Sequence, residues 1–114
     1  MIHLVYRMKL KEPARVDLPG FWRWLEERGK WFYRDLPMVK EVRWYLSLIG
    51  DVYVIENWAT FEDEAAWGQY NKTLYQLRAD PQWESQRVTQ EKFLEFLDTR
   101  ITSDVPCNVG IKRS

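Results

Sequence analysis

The stretch from Arg43 to Phe61, RWYLSLIGDVYVIENWATF, constrains this chain more than any other. Two runs rich in Val, Ile, Tyr and Trp flank Gly50-Asp51, the short-range signature of a β-hairpin with a primed two-residue turn. Taking Gly50 and Asp51 as the loop sets the register: Ile49 opposes Val52, Leu48 opposes Tyr53, Leu46 opposes Ile55, Trp44 opposes Asn57 and Arg43 opposes Trp58. Opposed residues in an antiparallel pair share a face. One face then carries Val42, Trp44, Leu46, Leu48, Tyr53, Ile55, Ala59 and Phe61, and Asn57 is its only polar member. The other mixes Glu41, Arg43, Tyr45, Ser47 and Ile49 with Val52, Val54, Glu56, Trp58 and Thr60.

Around this hairpin the chain reads in order. Ile2, Leu4, Tyr6, Met8 and Leu10 alternate with His3, Val5, Arg7, Lys9 and Lys11, a period of two that predicts a strand ended by Pro13. Asp17 N-caps a helix that tolerates Pro19 in its first turn and runs to about Arg34, with Leu18, Phe21, Trp22, Leu25, Phe32 and Leu36 on one stripe. Gly29 lies on that stripe, where it costs helix stability, so either the backbone there approaches the sheet closely or the helix bends. Asp35-Leu36-Pro37 stops the helix and Val39 starts the second strand. Beyond the hairpin, Thr60 with Asp63 resembles a capping box opening a second helix, whose buried stripe is Ala66, Tyr70, Leu74 and Leu77. Asp80-Pro81 is a fresh N-cap with proline at the first helical position. The third helix takes Trp83, Gln90, Phe93, Leu94 and Leu97 along its length and ends near Asp98. Residues 101–112, broken by Pro106 and Gly110, read as a bent or incomplete edge strand.

The element order is β-α-β-β-α-α-β in one domain, residues 1–114, long enough to bury a core without disulfides or metal. That is an α+β, ferredoxin-like layout, in which short connections and right-handed crossovers set helices on one face of a four-stranded antiparallel sheet. The apolar face takes the helices. The second face, bearing Val5, Tyr45, Ile49, Val52, Val54 and Trp58 among charges, has no cover within the chain. A face-to-face homodimer through Tyr45, Val54 and Trp58 closes two such sheets into one α/β barrel.

Balanced charge, 17 basic against 17 acidic residues, and the lack of any basic run give nucleic acid or an anionic membrane surface no electrostatic support as partners. A lone Cys107 and a lone His3 exclude an intramolecular disulfide and any cysteine- or histidine-rich metal site. No apolar run approaches a membrane span, and MIHLVYRMKLK lacks a signal-peptide pattern, so a cytoplasmic protein is expected. Seven tryptophans exceed what so small a core hides, which suggests an aromatic-lined pocket, a subunit interface or both.

The element order, Leu36-Pro37-Met38-Val39 leading to strand two, and Asn57-Trp58-Ala59-Thr60-Phe61 ending strand three resemble the dimeric α/β-barrel superfamily. Within it the antibiotic-biosynthesis monooxygenase branch, with its cofactor-independent oxygenases of aromatic polyketide pathways, is the most similar. In that branch strand three ends in Asn-aromatic-Ala-x-Trp, with the Asn and Trp at the active site. This sequence matches at Asn57, Trp58 and Ala59 but has Phe61 in place of the Trp, which keeps the ring and loses the indole N–H donor. A second segment, from Leu74 to Trp83, is similar to polyketide cyclases on the same barrel, although their arginine-rich second strand is missing here. The heme-degrading branch needs a histidine on the helix after strand three, and AAWGQYNKTLYQL has none, so heme ligation of that kind is not expected; Tyr70 and Tyr75 are the remaining candidates for an oxygen ligand there.

Read from its own chemistry, an amide among Trp44, Tyr53, Ile55 and Phe61 needs hydrogen-bond partners. Asn57 either bonds a helix group or points into a pocket, where it donates to the carbonyl or phenolate of a planar aromatic ligand. Trp44, Phe61, Tyr53 and Trp22 or Trp24 are the candidate walls, and Tyr6 the candidate donor. His3 is expected at the interface or surface, Glu56 in an ion pair with Arg43, and Arg78 at a helix C-terminus. The resemblance implies an oxygenase with no metal or flavin, in which an electron-rich substrate anion itself reduces dioxygen. A cyclase or isomerase on the same scaffold, and a non-catalytic dimeric barrel whose aromatic residues fill the space around Asn57, are the alternatives.

Overall fold

Why Asn57 ends up facing helices follows from strand pairing. The computed structural model describes residues 1–113, as β1 (Ile2–Leu10), α1 (Glu12–Arg15), α2 (Leu18–Tyr33), β2 (Glu41–Leu46), β3 (Val54–Phe61), α3 (Glu64–Leu77), α4 (Pro81–Phe93) and β4 (Leu94–Ser103). The strands form one antiparallel sheet in the order β2-β3-β1-β4. The chain is therefore α+β with a ferredoxin-like sheet. Register between β2 and β3 is the one the hairpin sequence predicts, with Trp44 opposite Asn57 and Leu46 opposite Ile55.

The tip of that hairpin differs from expectation. Pairing stops at Leu46 and Val54, leaving a loop over residues 47–53 that is closed by the Ser47 amide donating to the Val54 carbonyl at 2.9 Å. Both Gly50 and Tyr53 adopt positive φ, so the turn is wider than a two-residue Gly-Asp loop. Leu48 and Ile49 consequently stand in the open, 86% and 94% exposed, instead of extending the sheet.

Caps place the helices. Asp17 accepts from the Gly20 amide, Asp63 from Ala66 and Asp80 from Gln82, each ending an unpaired row of N–H groups. Thr60 is not part of the second cap; it belongs to β3 and bonds His3, so the acid three residues later caps alone. Pro13, expected to end β1, instead sits in the first turn of the short α1.

The largest departure is at the end of α4. Phe93, Leu94 and Leu97 fit a helical period, yet the helix stops at Phe93 and residues 94–98 already belong to β4. Leu94 and Phe96 alternate toward the helices opposite Leu10 and Met8, Leu97 is the extra residue of a bulge, and pairing resumes with Asp98 opposite Arg7 and Thr99 opposite Tyr6. Without β4, the inner strand β1 would be left with an unpaired edge. The strand pairs within its own sheet, and residues 104–113 lie beyond it without regular structure.

Two clusters of buried side chains fill the space between sheet and helices. One gathers Met8, Leu10, Ala14, Phe21, Leu25, Ile55 and Leu94, the other Ile2, Leu4, Leu36, Ala59, Phe61 and Tyr70. Tyr6 packs against both. Helix α4 contributes no buried residue to either.

Candidate functional site

The core splits where the sheet carries polar groups. Register aligns Trp44, Asn57, Tyr6 and Thr99 in one row across all four strands. Apolar rows lie on both sides of it. Helix α2 is interrupted at the same level: its stripe runs through Leu25 to Phe32, and the intervening turn presents Arg28 and Gly29. A cavity of about 290 Å³ occupies this gap. Its floor is Tyr6, Met8 and Asn57, and one wall is Arg28, Gly29, Trp31, Phe32 and Tyr33. Tyr70 and Leu74 of α3 close a second side, and Trp83, Gln86 and Gln90 of α4 lie across the top.

A Cβ added to Gly29 would meet no atom within 4 Å. The glycine therefore does not let the helix backbone approach the sheet; it leaves room beside Arg28.

Three polar side chains on this cavity have buried atoms without partners: Nδ2 of Asn57, Nε of Arg28 and Oε1 of Gln86. Asn57 is 4% exposed, and its Oδ1 accepts a long bond of 3.4 Å from the Tyr33 hydroxyl. Buried polar atoms are almost always satisfied. Three such orphans, from β3, α2 and α4, converge on this cavity.

The titratable groups favour negative charge on whatever enters. Burial pushes the Tyr6, Tyr33 and Tyr70 hydroxyls above the ordinary tyrosine range, and the nearby Tyr6 and Tyr33 raise Tyr70 further. All three are donors at neutral pH. Burial likewise pushes Arg28 below the usual guanidinium range, against the opposing pull of Tyr33 and Tyr70. At the rim, Glu84 is held ionised and low by its bonds to Arg87, which also reaches Glu91 at 2.6 Å. The cavity thus holds donors and three arginines, with Glu84 at the rim as the carboxylate of its lining.

The sequence-derived candidates divide. Asn57, Tyr6 and Trp44 meet at the cavity. Phe61 does not: it is fully buried and packs on Tyr70 with ring centroids 5.1 Å apart, behind the cavity wall. Tyr53 belongs to the hairpin loop and lies under Arg15. Trp22 meets Phe21 edge-on at 5.1 Å and is 37% exposed, while Trp24 packs into the first cluster against Phe93. Arg28 and Tyr33 were not anticipated. A signal existed for Arg28, which sits three residues after Leu25 and four before Phe32, at an apolar stripe position.

On the opposite face of the sheet, Arg7 takes the place expected of Arg43 by pairing with Asp98 at 2.6 Å and Glu56 at 3.8 Å, whereas Arg43 turns to Glu41. His3 bridges Thr60 and Asp104, each at 2.8 Å. Val54 and Val5 are already buried within the chain, which leaves Tyr45, 47% exposed, and the partly covered Trp58 as the aromatic content of that face. Among the described residues no helix is long and apolar enough to cross a membrane.

No protein-family model and no curated protein matches the chain. Among solved structures it is similar to protein Atu4242 from Agrobacterium tumefaciens, with a TM-score of 0.68 and 20% identity, covering 93% of this chain and 95% of that one. It is also similar to HapK from Hahella chejuensis (TM-score 0.61, 13% identity, 98% and 100% covered). An uncharacterized NIPSNAP domain protein from Burkholderia xenovorans gives 0.62 and 16%, with 98% and 100% covered. At these identities the likeness establishes the shared ferredoxin-like α+β fold.

Proposed function

We propose that the cavity binds a planar aromatic or polyketide-like molecule and that the protein acts on it as a cofactor-independent monooxygenase. The observation that carries this reading is the unpartnered Asn57 Nδ2, buried and facing a cavity walled by Trp31, Phe32, Trp44 and Trp83. The Asn57-Trp58-Ala59 resemblance to the antibiotic-biosynthesis monooxygenase branch adds to it. An activated CH2 that loses a proton gives a delocalised anion, whose oxygen Asn57 stabilises by hydrogen bonding. That anion reduces dioxygen; the carbon becomes C=O, and each turnover consumes one O2 and releases one water. The substrate is the reductant, so the scheme needs neither metal nor flavin.

A cavity of donors whose lining carboxylate, Glu84, is held low by Arg87 suits a substrate acidic enough to ionise by itself, and this favours oxygenation over base-driven cyclisation or isomerisation. An oxygen electrode with anthrones, quinols and phenols tests the choice. Oxygen uptake that Asn57→Ala abolishes supports the oxygenase; product formed without uptake supports the cyclase, and neither reaction leaves a binding protein. Pairing of two sheets through Tyr45 and Trp58 is part of the proposal. Light scattering should give twice the chain mass, and Trp58→Arg should halve it.

A further inference from the structure

Resting on the small-molecule reading above, we infer that the ligand is an aromatic acid whose carboxylate is received by Arg28. Three arginines line the cavity. Arg87 is paired with Glu84 and Glu91, Arg78 at the end of α3 lies 5.9 Å from the ring centroid of the exposed Tyr75, and Arg28 carries a buried nitrogen without a partner. Its guanidinium lies 5.0 Å from the Phe32 ring centroid and 5.9 Å from that of Trp24, contacts that hold the group in position without neutralising it. Its Nε is buried and bonds nothing. A desolvated cation left unpaired is costly unless something else supplies the counter-charge. The edge formed by Nε and a terminal nitrogen presents two parallel donors, the geometry a carboxylate accepts best.

The remaining orphans describe the rest of the molecule. Asn57 Nδ2 asks for an acceptor, and the single orphan acceptor, Gln86 Oε1, asks for a donor such as a hydroxyl. Trp83 packs at a tilt against Trp31 at 4.8 Å and Phe32 at 4.9 Å, so the wall beside Arg28 is aromatic and can face a flat ring system. Gly29, with nothing within 4 Å of the Cβ it lacks, leaves the approach to the guanidinium clear. The ligand is thus a hydroxylated aryl carboxylate, with its charge at α2, its acceptor at β3 and its hydroxyl at α4.

Binding of anthraquinone-2-carboxylate and its neutral hydroxymethyl counterpart, read by tryptophan fluorescence quenching, tests this. The acid should bind about tenfold to a hundredfold more tightly, the range for a hydrogen bond to a charged group. In Arg28→Met that preference should fall to near one while the neutral probe binds as before. Arg28→Lys, which keeps the charge but not the two-donor edge, should retain only part of the preference, and the rim variant Arg87→Met should retain all of it. Equal binding of the two probes by the unaltered protein, or an undiminished preference in Arg28→Met, overturns the inference while the small-molecule reading stands. Failure of both probes to bind overturns both.

Discussion

Gly29 offers the sharpest perturbation, because the stability and binding effects of one substitution are separable there. Its φ is not among the positive values, and a Cβ would meet nothing within 4 Å, so alanine enters without backbone strain or collision. Glycine inside a helix is about 0.8 to 1.0 kcal/mol less favourable than alanine. Gly29→Ala should therefore stabilise the protein by nearly that amount, which at this chain length raises Tm by about 3 to 6 °C. Leucine has almost the same helix propensity, but its side chain would project into a cavity of about 290 Å³ and occupy space a ligand needs. Gly29→Leu should match or exceed the alanine variant in Tm while weakening aromatic-probe affinity by more than about tenfold, the effect of displacing a flat ring by one buried side chain. Differential scanning calorimetry and fluorescence titration measure the two effects independently. A Gly29→Ala protein that melts below the unaltered one refutes the reasoning, since the helix would then be in close contact with the sheet at that turn. A Gly29→Leu protein that binds aromatic probes normally would show that the gap beside Arg28 is not where the ring sits.

Asn57→Leu should change stability by no more than about 1 kcal/mol, because removing a buried unsatisfied amide offsets the loss of the Tyr33 hydroxyl's long bond; calorimetry reads it, with loss of probe binding as the accompanying result. Alkaline stability should fall once the pH passes the ordinary tyrosine value of 10.0, since Tyr6, Tyr33 and Tyr70 keep their protons longer folded than unfolded. Their stabilisation is complete below the unfolded pKa and is lost as pH rises through the folded one. Tyrosinate absorbance should therefore appear in two phases, the later one coincident with unfolding. Asp63→Ala should cost about 1 kcal/mol through loss of the α3 cap, and Thr60→Val should lose its bond to His3 while leaving that helix end intact, a contrast that amide exchange at Ala66 resolves.

Much of the fold was legible because several local signals agreed. The alternation in Ile2–Leu10, the β-rich hairpin arms and the Asp17 and Asp80 caps each point to one conformation, and the hairpin register was correct in every observed pair. What misled was a segment whose period fits two structures. Phe93, Leu94 and Leu97 satisfy a helix as well as a bulged strand, and only the need to pair the free edge of β1, a tertiary fact, decides for β4. The hairpin tip failed for a related reason: Gly-Asp is a strong turn signal, but Tyr53 in the left-handed region and the Leu10 amide bonded to its carbonyl hold a wider loop.

The site was legible on the sheet and obscure on the helices. Strand periodicity is rigid, so one register places Trp44, Asn57 and Tyr6 in a row, and a lone amide among apolar residues stands out from the alternation alone. Helical wheels are more forgiving. Arg28 within Glu26-Glu27-Arg28-Gly29-Lys30 looks like part of a solvated face, although its spacing from Leu25 and Phe32 puts it on the buried stripe. Phe61 was overvalued for the opposite reason, because a motif resemblance marked its position while the register seats it two rows from Asn57, against Tyr70. The two interruptions, an amide in the sheet and an arginine-glycine pair in the helix, fall at the same level of the fold. A single interruption would be a local defect that packing could heal; two that face each other divide the core in two and keep a cavity between the halves. That coincidence, more than any one residue, argues that the gap is built for a ligand.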